Sequence, residues 1–264
     1  MSTASTKILT KSEKGIGSIT FNNPERHNAM SLDMWQGLAD ALIQFKQDQS
    51  IRVVIMTGAG EKAFVSGADI SEFEKKRASQ EQRGGYEKVF DLALGELSTF
   101  DKPLIAMIKG YCIGGGLAIA ANADIRIATE DSSFGIPAAK LGLGYGFDAI
   151  KQLSSIVGPS HAKDILFSAR FLKTEEALRI GLINFVVSRD ELSKTVADYA
   201  NTLVTNAPLT IKAIKAAVTE VIRDPGQKSP KYVEQLVLDC FDSDDYKEGR
   251  KAFMEKRKPT FKGS

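Results

Sequence analysis

Two strand-to-helix turns made of small residues constrain the fold of this chain more than any other feature. Residues 114–116, three glycines, lie between an apolar segment and an Ala-rich stretch, and residues 66–69, Ser-Gly-Ala-Asp, follow the strand-like segment 53–57. Amides at the start of a helix have no partner within it and lie at its positive end. Two such donors at one carbonyl oxygen form an oxyanion hole. The alternative is that both turns only pack a helix closely against a strand.

The pattern around these turns predicts an α/β fold. Apolar segments rich in β-branched residues predict strands at residues 16–21, 51–57, 104–108 and 125–128. Apolar residues recur at about every fourth position between residues 32 and 45, which predicts an amphipathic helix. Strands that alternate with helices in this way are typical of parallel sheets.

Further helices are predicted between and after the strands. Residues 72–97 have a polar helical pattern interrupted by two glycines, which is typical of a flap over a site. Two short helices are predicted at residues 163–167 and 174–179, the second with Thr174 as its N-cap.

The last third of the chain has a helical pattern throughout. It begins at about Leu192 and is broken at residues 206–208 and 224–226. We expect these helices not to bury their apolar faces on a sheet, so they need another surface. We therefore predict an α/β core at residues 1–191 and a helical region at residues 192–264, with no linker that separates an independent domain.

Composition excludes several classes of function. The 264 residues hold 35 Lys and Arg against 33 Asp and Glu, with the signs interspersed, so no global field marks a nucleic-acid or membrane protein. Cys112 and Cys240 have no His or Cys at ligand spacing, and we expect neither a disulfide nor a metal site. The sequence shows no targeting or membrane-spanning segment, so we expect a cytoplasmic protein.

Several blocks of sequence accompany the two turns. They occur at residues 23–30 (NPERHNAM), 63–70 (AFVSGADI), 109–116 (KGYCIGGG), 123–128 (ADIRIA), 134–137 (FGIP), 141–143 (LGL) and 246–259. In order and spacing they resemble the enoyl-CoA hydratase/isomerase (crotonase) family over nearly the whole chain. The resemblance implies a crotonase-like spiral of repeated ββα units with a C-terminal helical trimerisation region. It also implies homotrimers or homohexamers, an acyl-CoA thioester substrate, and no cofactor, since CoA is part of the substrate.

The resemblance further implies which residues form the site. The amides of Ser66 and Gly115 would hold the thioester oxygen as it becomes an enolate, a catalytic role. Arg26 would bind the CoA phosphates, and Phe253 and Lys256 would bind the adenine and the 3′-phosphate. By the resemblance the backbone of residues 66–69, with Gly67, Ala68 and Asp69, contacts the adenine end of CoA. Gly114 and Tyr145, which lie in the two other glycine-rich segments, are predicted to contact the substrate as well.

Two positions depart from the hydratases of the family. By the resemblance, those enzymes carry one glutamate two residues beyond the glycine triplet and another directly after the Phe-Gly-x-Pro proline. This chain has Ala118 and Ala138 there. A methyl group transfers no proton, and a positioned general acid or base contributes about 10²–10⁴-fold to the rate. We therefore do not expect efficient simple hydration of an enoyl-CoA.

A substitute proton-transfer group is predicted in the glycine-rich segment 142–148. Asp148 is its carboxylate, and packing among Tyr145, Phe147 and Ile150 would desolvate Asp148 and raise its pKa toward a useful range. The alternative for Asp148 is the N-cap of the helix that follows. Tyr145 has two interpretations as well, a phenolic proton donor or a wall of the pocket.

Two functions of different classes follow. The first is an acyl-CoA lyase or isomerase, nominally an enoyl-CoA hydratase, that stabilises a thioester enolate between backbone amides. The alternative is a non-catalytic acyl-CoA-binding or assembly subunit without the glutamates. RNA binding is disfavoured, because the lysines are scattered among acids without interleaved aromatic residues. Aromatic residues predicted to line the acyl pocket favour a bulky acyl group: Tyr86, Phe90, Tyr145 and Phe147.

Overall fold

The computed structural model describes residues 7–69, residue 71 and residues 80–264, without the side chains of residues 80–83. Ten strands lie in these residues: β1 (Ile8–Glu13), β2 (Ile16–Phe21), β3 (Val53–Gly58), β4 (Ala63–Val65), β5 (Leu104–Ile108), β6 (Tyr111–Ile113), β7 (Ile125–Thr129), β8 (Ser133–Gly135), β9 (Leu172–Lys173) and β10 (Phe185–Val187). The α-helices described are α1 (Leu32–Gln47), α2 (Gln80–Ser98), α3 (Gly115–Ala121), α4 (Phe147–Ser168), α5 (Thr174–Arg179), α6 (Arg189–Thr205), α7 (Pro208–Ile222), α8 (Pro230–Asp242) and α9 (Asp244–Met254).

The strands form two sheets. The larger has the order β1-β2-β3-β5-β7-β10, with only β1 and β2 antiparallel, and the smaller has the order β4-β6-β8-β9, with only β8 and β9 antiparallel. Successive strands alternate between the sheets: β3 and β4, β5 and β6, and β7 and β8 each contribute one strand to each sheet. A helix follows each of these pairs. The predicted spiral of ββα units is confirmed.

The central strands consist largely of buried apolar residues. Every residue of β5 except Met107 is buried, as expected of a strand covered on both faces. The predicted bounds of β2 and β5 are confirmed. The predicted strand at 51–57 is observed at Val53–Gly58, because the amides of Arg52 and Val53 both donate to the Gly15 carbonyl before the ladder begins.

Helix α1 covers one face of the larger sheet. Its apolar positions are buried at the spacing predicted from the sequence: Met34, Trp35, Leu38, Ala39, Ala41, Leu42 and Phe45. Helix α2 packs mainly against α1. The predicted polar helix at 72–97 is observed from Gln80 onward, and its residues 72–79 lie outside the described residues.

Helix α6 differs from the expectation for the last third of the chain. Leu192, Val196 and Ala200 are buried in one cluster with residues of the larger sheet, including Ile105 and Ile127. These three residues are spaced by four positions, so they form one stripe along the helix and cover the sheet face opposite α1. The expectation that these helices avoid the sheet is therefore wrong for α6, and the proposed boundary at residue 192 falls inside this helix.

Two predicted helix details are corrected. The segment 163–167 is the end of α4, which extends from Phe147 and is interrupted where Gly158 adopts a φ of 76° before Pro159. The N-cap of α5 is Lys173, because the Thr174 hydroxyl donates instead to the carbonyls of Thr129 and Ser132.

Helices α7, α8 and α9 leave much of their apolar surface exposed. Lys212 and Lys215 attach α7 to the core through ion pairs of 2.8 Å each, with Asp101 and Asp124 respectively. The outer surface carries exposed apolar side chains: Ile214, Val218, Val221, Ile222, Tyr232, Val237, Leu238, Phe241, Phe253 and Met254. No helix in the described part of the chain is long and apolar enough to cross a membrane.

Candidate active site

The two turns predicted from the sequence lie against each other. Strands β4 and β6 are parallel neighbours, so the segments that leave their carboxyl ends meet at one edge of the smaller sheet. Gly67 has a φ of 114° and Gly114 a φ of 54°, backbone conformations that side chains rarely allow. A Cβ on Gly114 would lie 3.6 Å from the Gly67 Cα, so the absence of both side chains permits this close approach.

Hydrogen bonds decide which amides of the first turn are available. The Ser66 amide donates to the His27 carbonyl at 3.1 Å, and the Asp69 amide donates to the Met30 carbonyl at 2.9 Å. Successive amides of extended backbone point to opposite sides, so the Ala68 amide points away from Met30. It has no backbone acceptor among the described residues. The expectation that the Ser66 amide is a free donor is not met, because His27 occupies it.

The Ala68 amide faces the second turn. A Cβ built on Gly115 would lie 3.9 Å from the Ala68 nitrogen. Gly115 is the first residue of α3, and the first bond of that helix runs from the Ala118 amide to the Gly114 carbonyl, so the Gly115 amide has no acceptor within the helix. The structure therefore places the Ala68 nitrogen beside Gly115, at the positive end of α3.

The loop before α1 holds the first turn in place. Asn28 is fully buried, and its side-chain amide donates to the carbonyls of Ala59 at 3.0 Å and Ala63 at 2.8 Å. Its side-chain oxygen accepts from the Asn23 amide at 2.9 Å. One side chain thus joins this loop to β4. Sequence analysis missed this role, although Asn28 lies in the block at residues 23–30 that carried the family resemblance.

Arg26 and Asp69 form an ion pair beside the first turn. The Arg26 Nη1 lies 3.0 and 2.9 Å from the two Asp69 carboxylate oxygens and 2.5 Å from the Ser71 hydroxyl. The Ser71 amide and hydroxyl also donate to Asp69. Burial raises the pKa of Asp69, but the Ser71 hydrogen bonds and the Arg26 charge outweigh it, so this pKa lies below its ordinary value. The Arg26 side chain remains 56 % exposed.

Trp35 lies on the other side of Gly115. A Cβ on Gly115 would lie 3.1 Å from Trp35 Cζ2 and 3.5 Å from Cη2, so the indole occupies the space that a side chain would need. Trp35 is fully buried and donates from Nε1 to the Tyr86 hydroxyl at 3.0 Å. The Phe90 ring packs edge-on against the indole, with 4.9 Å between ring centroids. Sequence analysis assigned Trp35 no role.

Both alanines are buried. Ala118 on α3 and Ala138 after β8 are both 7 % exposed. Ala138 belongs to the main apolar cluster, together with Leu117 and Ile136. Neither position carries an ionisable group, so the described residues provide no carboxylate at the two places where the resemblance expects one.

The glycine-rich segment before α4 corrects the expectation for Asp148. Asp148 is exposed, and its neighbour Phe147 is 73 % exposed, so the predicted desolvation is absent from this chain. The N-cap of α4 is Gly146 rather than Asp148, which lies within the first turn. Tyr145 instead packs against the main apolar cluster, and burial raises its pKa to about 12. Its phenol is therefore protonated at physiological pH and is a weaker acid than that of an exposed tyrosine.

The C-terminal residues expected to bind CoA are exposed. Phe253 is 81 % exposed near the carboxyl end of α9, and Lys256 follows with a left-handed φ of 54°. Arg257 is engaged with Glu248 at 2.6 and 2.8 Å. The Arg257 hydrogen bonds, followed by the Thr260 amide, lower the pKa of Glu248 to about 2. Arg257 is thus paired within the chain, and Lys256 is an exposed cation three residues after Phe253.

The residues described contain no group of three or more His, Cys, Asp or Glu side chains placed to hold a metal ion. The candidate site is built mainly from backbone amides and apolar side chains.

Comparison with known proteins gives concordant matches. Residues 11–264 match the family described as enoyl-CoA hydratase/isomerase. The short-chain-enoyl-CoA hydratase of Clostridium acetobutylicum is 36 % identical over 253 residues, which cover 95 % of each chain. The carnitinyl-CoA dehydratase of Salmonella typhi is 34 % identical over 254 residues, which cover 93 % of this chain and 94 % of that protein.

Solved structures share the fold. An enoyl-CoA hydratase/carnithine racemase from Magnetospirillum magneticum superposes with a TM-score of 0.91 and 38 % identity, covering 98 % of this chain and 96 % of the other. An enoyl-CoA hydratase from Bacillus anthracis superposes with a TM-score of 0.90 and 29 % identity, covering 98 % of this chain and 100 % of the other.

Proposed function

The chain belongs to the enoyl-CoA hydratase/isomerase family, and we propose that it acts on an acyl-CoA thioester whose carbonyl oxygen is held by the amides of Ala68 and Gly115. The observation that carries this proposal is the position of the Ala68 nitrogen, 3.9 Å from where a Cβ on Gly115 would lie. A thioester that loses an α-proton or gains a nucleophile at the β-carbon develops negative charge on this oxygen. Two fixed N–H donors stabilise that charge without reorganising.

Charge and polarity indicate which residues would bind each part of the substrate. Arg26 at the first turn and Lys256 after α9 offer cations for the CoA phosphates. The exposed Phe253 ring offers a face for the adenine. The acyl group is directed toward the apolar region of Ala118 and Ala138, where a small side chain leaves room for a larger substrate.

The proton-transfer apparatus sets the expected rate of hydration. Relatives named as hydratases and a dehydratase of CoA thioesters support a lyase activity for this chain. With alanines at both glutamate positions, no carboxylate there orients or ionises water. We propose that simple enoyl-CoA hydration is slow. We also propose, from its place in the glycine-rich segment 142–148 before α4, that the Tyr145 hydroxyl supplies a proton in the reaction of the true substrate.

The first experiment separates binding from turnover. Calorimetry with acetyl-CoA, crotonyl-CoA and a bulkier aryl-acyl-CoA should show binding that weakens as salt is added, because phosphate contacts are screened. Hydration of crotonyl-CoA should be slow, and Ala118→Glu with Ala138→Glu should increase it. Hydration by the unchanged protein at roughly 10–10³ s⁻¹ would contradict this account of the alanines, and a folded protein that binds no CoA thioester would contradict the whole proposal.

The same panel of CoA thioesters tests the alternative function, a non-catalytic CoA-thioester-binding subunit. It predicts binding of one or more thioesters with no change in any of them. Mass spectrometry of each thioester after incubation with the protein distinguishes the two functions.

A further inference from the structure

Trp35 contacts the proposed site without a role in the chemistry described above. It is the only tryptophan of the chain, it is fully buried in α1, and its six-membered ring lies against Gly115. The point where a Cβ on Gly115 would lie is 3.1 Å from the indole and 3.9 Å from the Ala68 nitrogen. A displacement of the indole therefore changes the packing that holds Gly115, the first residue of α3.

Two residues of α2 hold the indole in place. Its Nε1 donates to the Tyr86 hydroxyl at 3.0 Å, and Tyr86 is only 3 % exposed. Phe90, one helical turn further along α2, packs against the same ring. A buried N–H requires an acceptor, so the Tyr86 hydroxyl selects one orientation of the indole among those that the apolar packing would allow.

We propose that Trp35 and Tyr86 form a positioning pair that holds the Gly115 amide in register with the Ala68 amide. The inference rests on the proposed function, since it assigns the pair to the two donors of that site. The indole supports Gly115 by direct contact, and the Tyr86 hydroxyl fixes the indole. Tightly packed interiors transmit small displacements, and donors that stabilise a developing charge lose effect when they move by fractions of an ångström.

The pair should therefore influence the enolate form of a ligand more than the CoA portion. The residues proposed to bind CoA lie on other elements, the loop before α1 and the end of α9. A change at Tyr86 leaves those contacts intact. Selective loss of enolate binding distinguishes a positioning role from a general loss of structure.

Acetoacetyl-CoA provides the test, because its β-keto thioester ionises to an enolate that absorbs in the ultraviolet. Tyr86→Phe keeps the ring and removes the hydroxyl that accepts from Trp35. The matched control is Tyr199→Phe, the same chemical change in a residue of α6 that packs against Phe185 with ring centroids 5.9 Å apart. Enolate absorbance, affinity for free CoA, thermal unfolding and Trp35 fluorescence are measured for all three proteins.

We expect Tyr86→Phe to shift the Trp35 emission and to weaken enolate binding about tenfold, less than the roughly 10²-fold cost of a 1 Å misplacement. Affinity for free CoA should match that of the wild type, and Tyr199→Phe should match the wild type throughout. Unchanged enolate binding despite a shifted emission would overturn the positioning role. An equal loss of enolate and free-CoA binding would assign Tyr86 a merely structural role and overturn it as well. If the wild type itself binds no acetoacetyl-CoA, it is the proposed function that fails.

Discussion

Gly116 lies where the chain has no room for a side chain. A Cβ at this position would overlap the carbonyl oxygen of Val65, a backbone atom that cannot rotate away. We expect Gly116→Ala to destabilise the fold by about 1–3 kcal/mol, the usual cost of forcing extra atoms into a packed interior. Urea unfolding monitored by circular dichroism measures the effect.

The matched control for this change is Gly95→Ala in α2. A Cβ there meets nothing within 4 Å, and alanine in a helix is favoured over glycine. This variant should gain about 0.5–1 kcal/mol. A Gly116→Ala protein as stable as the wild type would show that the two turns can separate, which contradicts the close approach described here.

The Asp69 carboxylate gives the stability of the first turn a pH dependence. Its pKa in the folded state lies below the ordinary value of 3.8, so the folded protein binds this proton less readily than the unfolded chain. The resulting stabilisation is complete above pH 3.8 and is lost as the pH falls through the lower folded-state pKa. Asp69→Asn should reduce the unfolding free energy by about 1 kcal/mol at pH 7.

The difference in unfolding free energy between Asp69→Asn and the wild type should become smaller in acid. Urea unfolding between pH 7 and pH 3 measures it. Glu25→Gln is a suitable control, because this exposed residue lies in the same loop next to Arg26. A stability difference that is constant across this range would mean that the Asp69 charge does not contribute.

Single residues also show where sequence reasoning reached its limit at the site. The small residues of both turns marked the right segments, because only they allow two backbones to approach. The choice between the Ser66 and Ala68 amides depended on the carbonyls of His27 and Met30, which approach from another loop. The sequence contains no local signal for such an approach, so it could not show that the His27 carbonyl occupies the Ser66 amide.

At the scale of elements, the start of α4 tests the assignment of Asp148. This carboxylate is exposed in the first turn, so its interaction is with the positive end of the helix rather than with a desolvated pocket. We expect Asp148→Asn to cost about 0.3–1 kcal/mol at low ionic strength and less in high salt. Turnover of a CoA thioester, once one is identified, should be retained.

Tyr145→Phe is the comparison for Asp148→Asn, because it removes the phenolic hydroxyl from the same segment. It should fold normally and lose turnover. A loss of turnover of roughly 10²-fold or more in Asp148→Asn, with Tyr145→Phe unaffected, would restore Asp148 as the proton-transfer group.

Elements with long apolar runs were predictable and very short ones were not. β2 and β5 were placed correctly because six or five residues suffice to show a strand pattern. β4, β6 and β8 have three residues each and were not predicted as strands, since pairing with neighbours distant in sequence defines them. Helix α6 was assigned to the wrong surface because its buried stripe of Leu192, Val196 and Ala200 does not reveal which partner covers it.

At the scale of the whole molecule, the outer face of α7 is apolar and exposed. Ile214, Val218 and Val221 are 58, 60 and 73 % exposed, and their spacing puts them on one side of the helix. An exposed apolar stripe of this kind marks an interaction surface. We propose that copies of this chain cover it in a trimer or hexamer.

Val218→Asp should therefore reduce the assembly size measured by light scattering while circular dichroism stays unchanged, because a charge placed in an apolar interface loses its hydration. Val218→Thr is the control of similar shape and should retain the assembly more fully. A wild type that is monomeric at micromolar concentration would contradict the proposal.

The alternation of strands between two sheets has a consequence for the time course of folding. Neighbouring strands are far apart in sequence: Val54 pairs with Leu104, and Ile127 pairs with Phe185. Such pairings close long loops before they gain contacts, which slows folding. On the ribosome, β7 has no neighbour on its outer side until β10 has emerged, so the larger sheet is completed only once residues 185–187 have been synthesised.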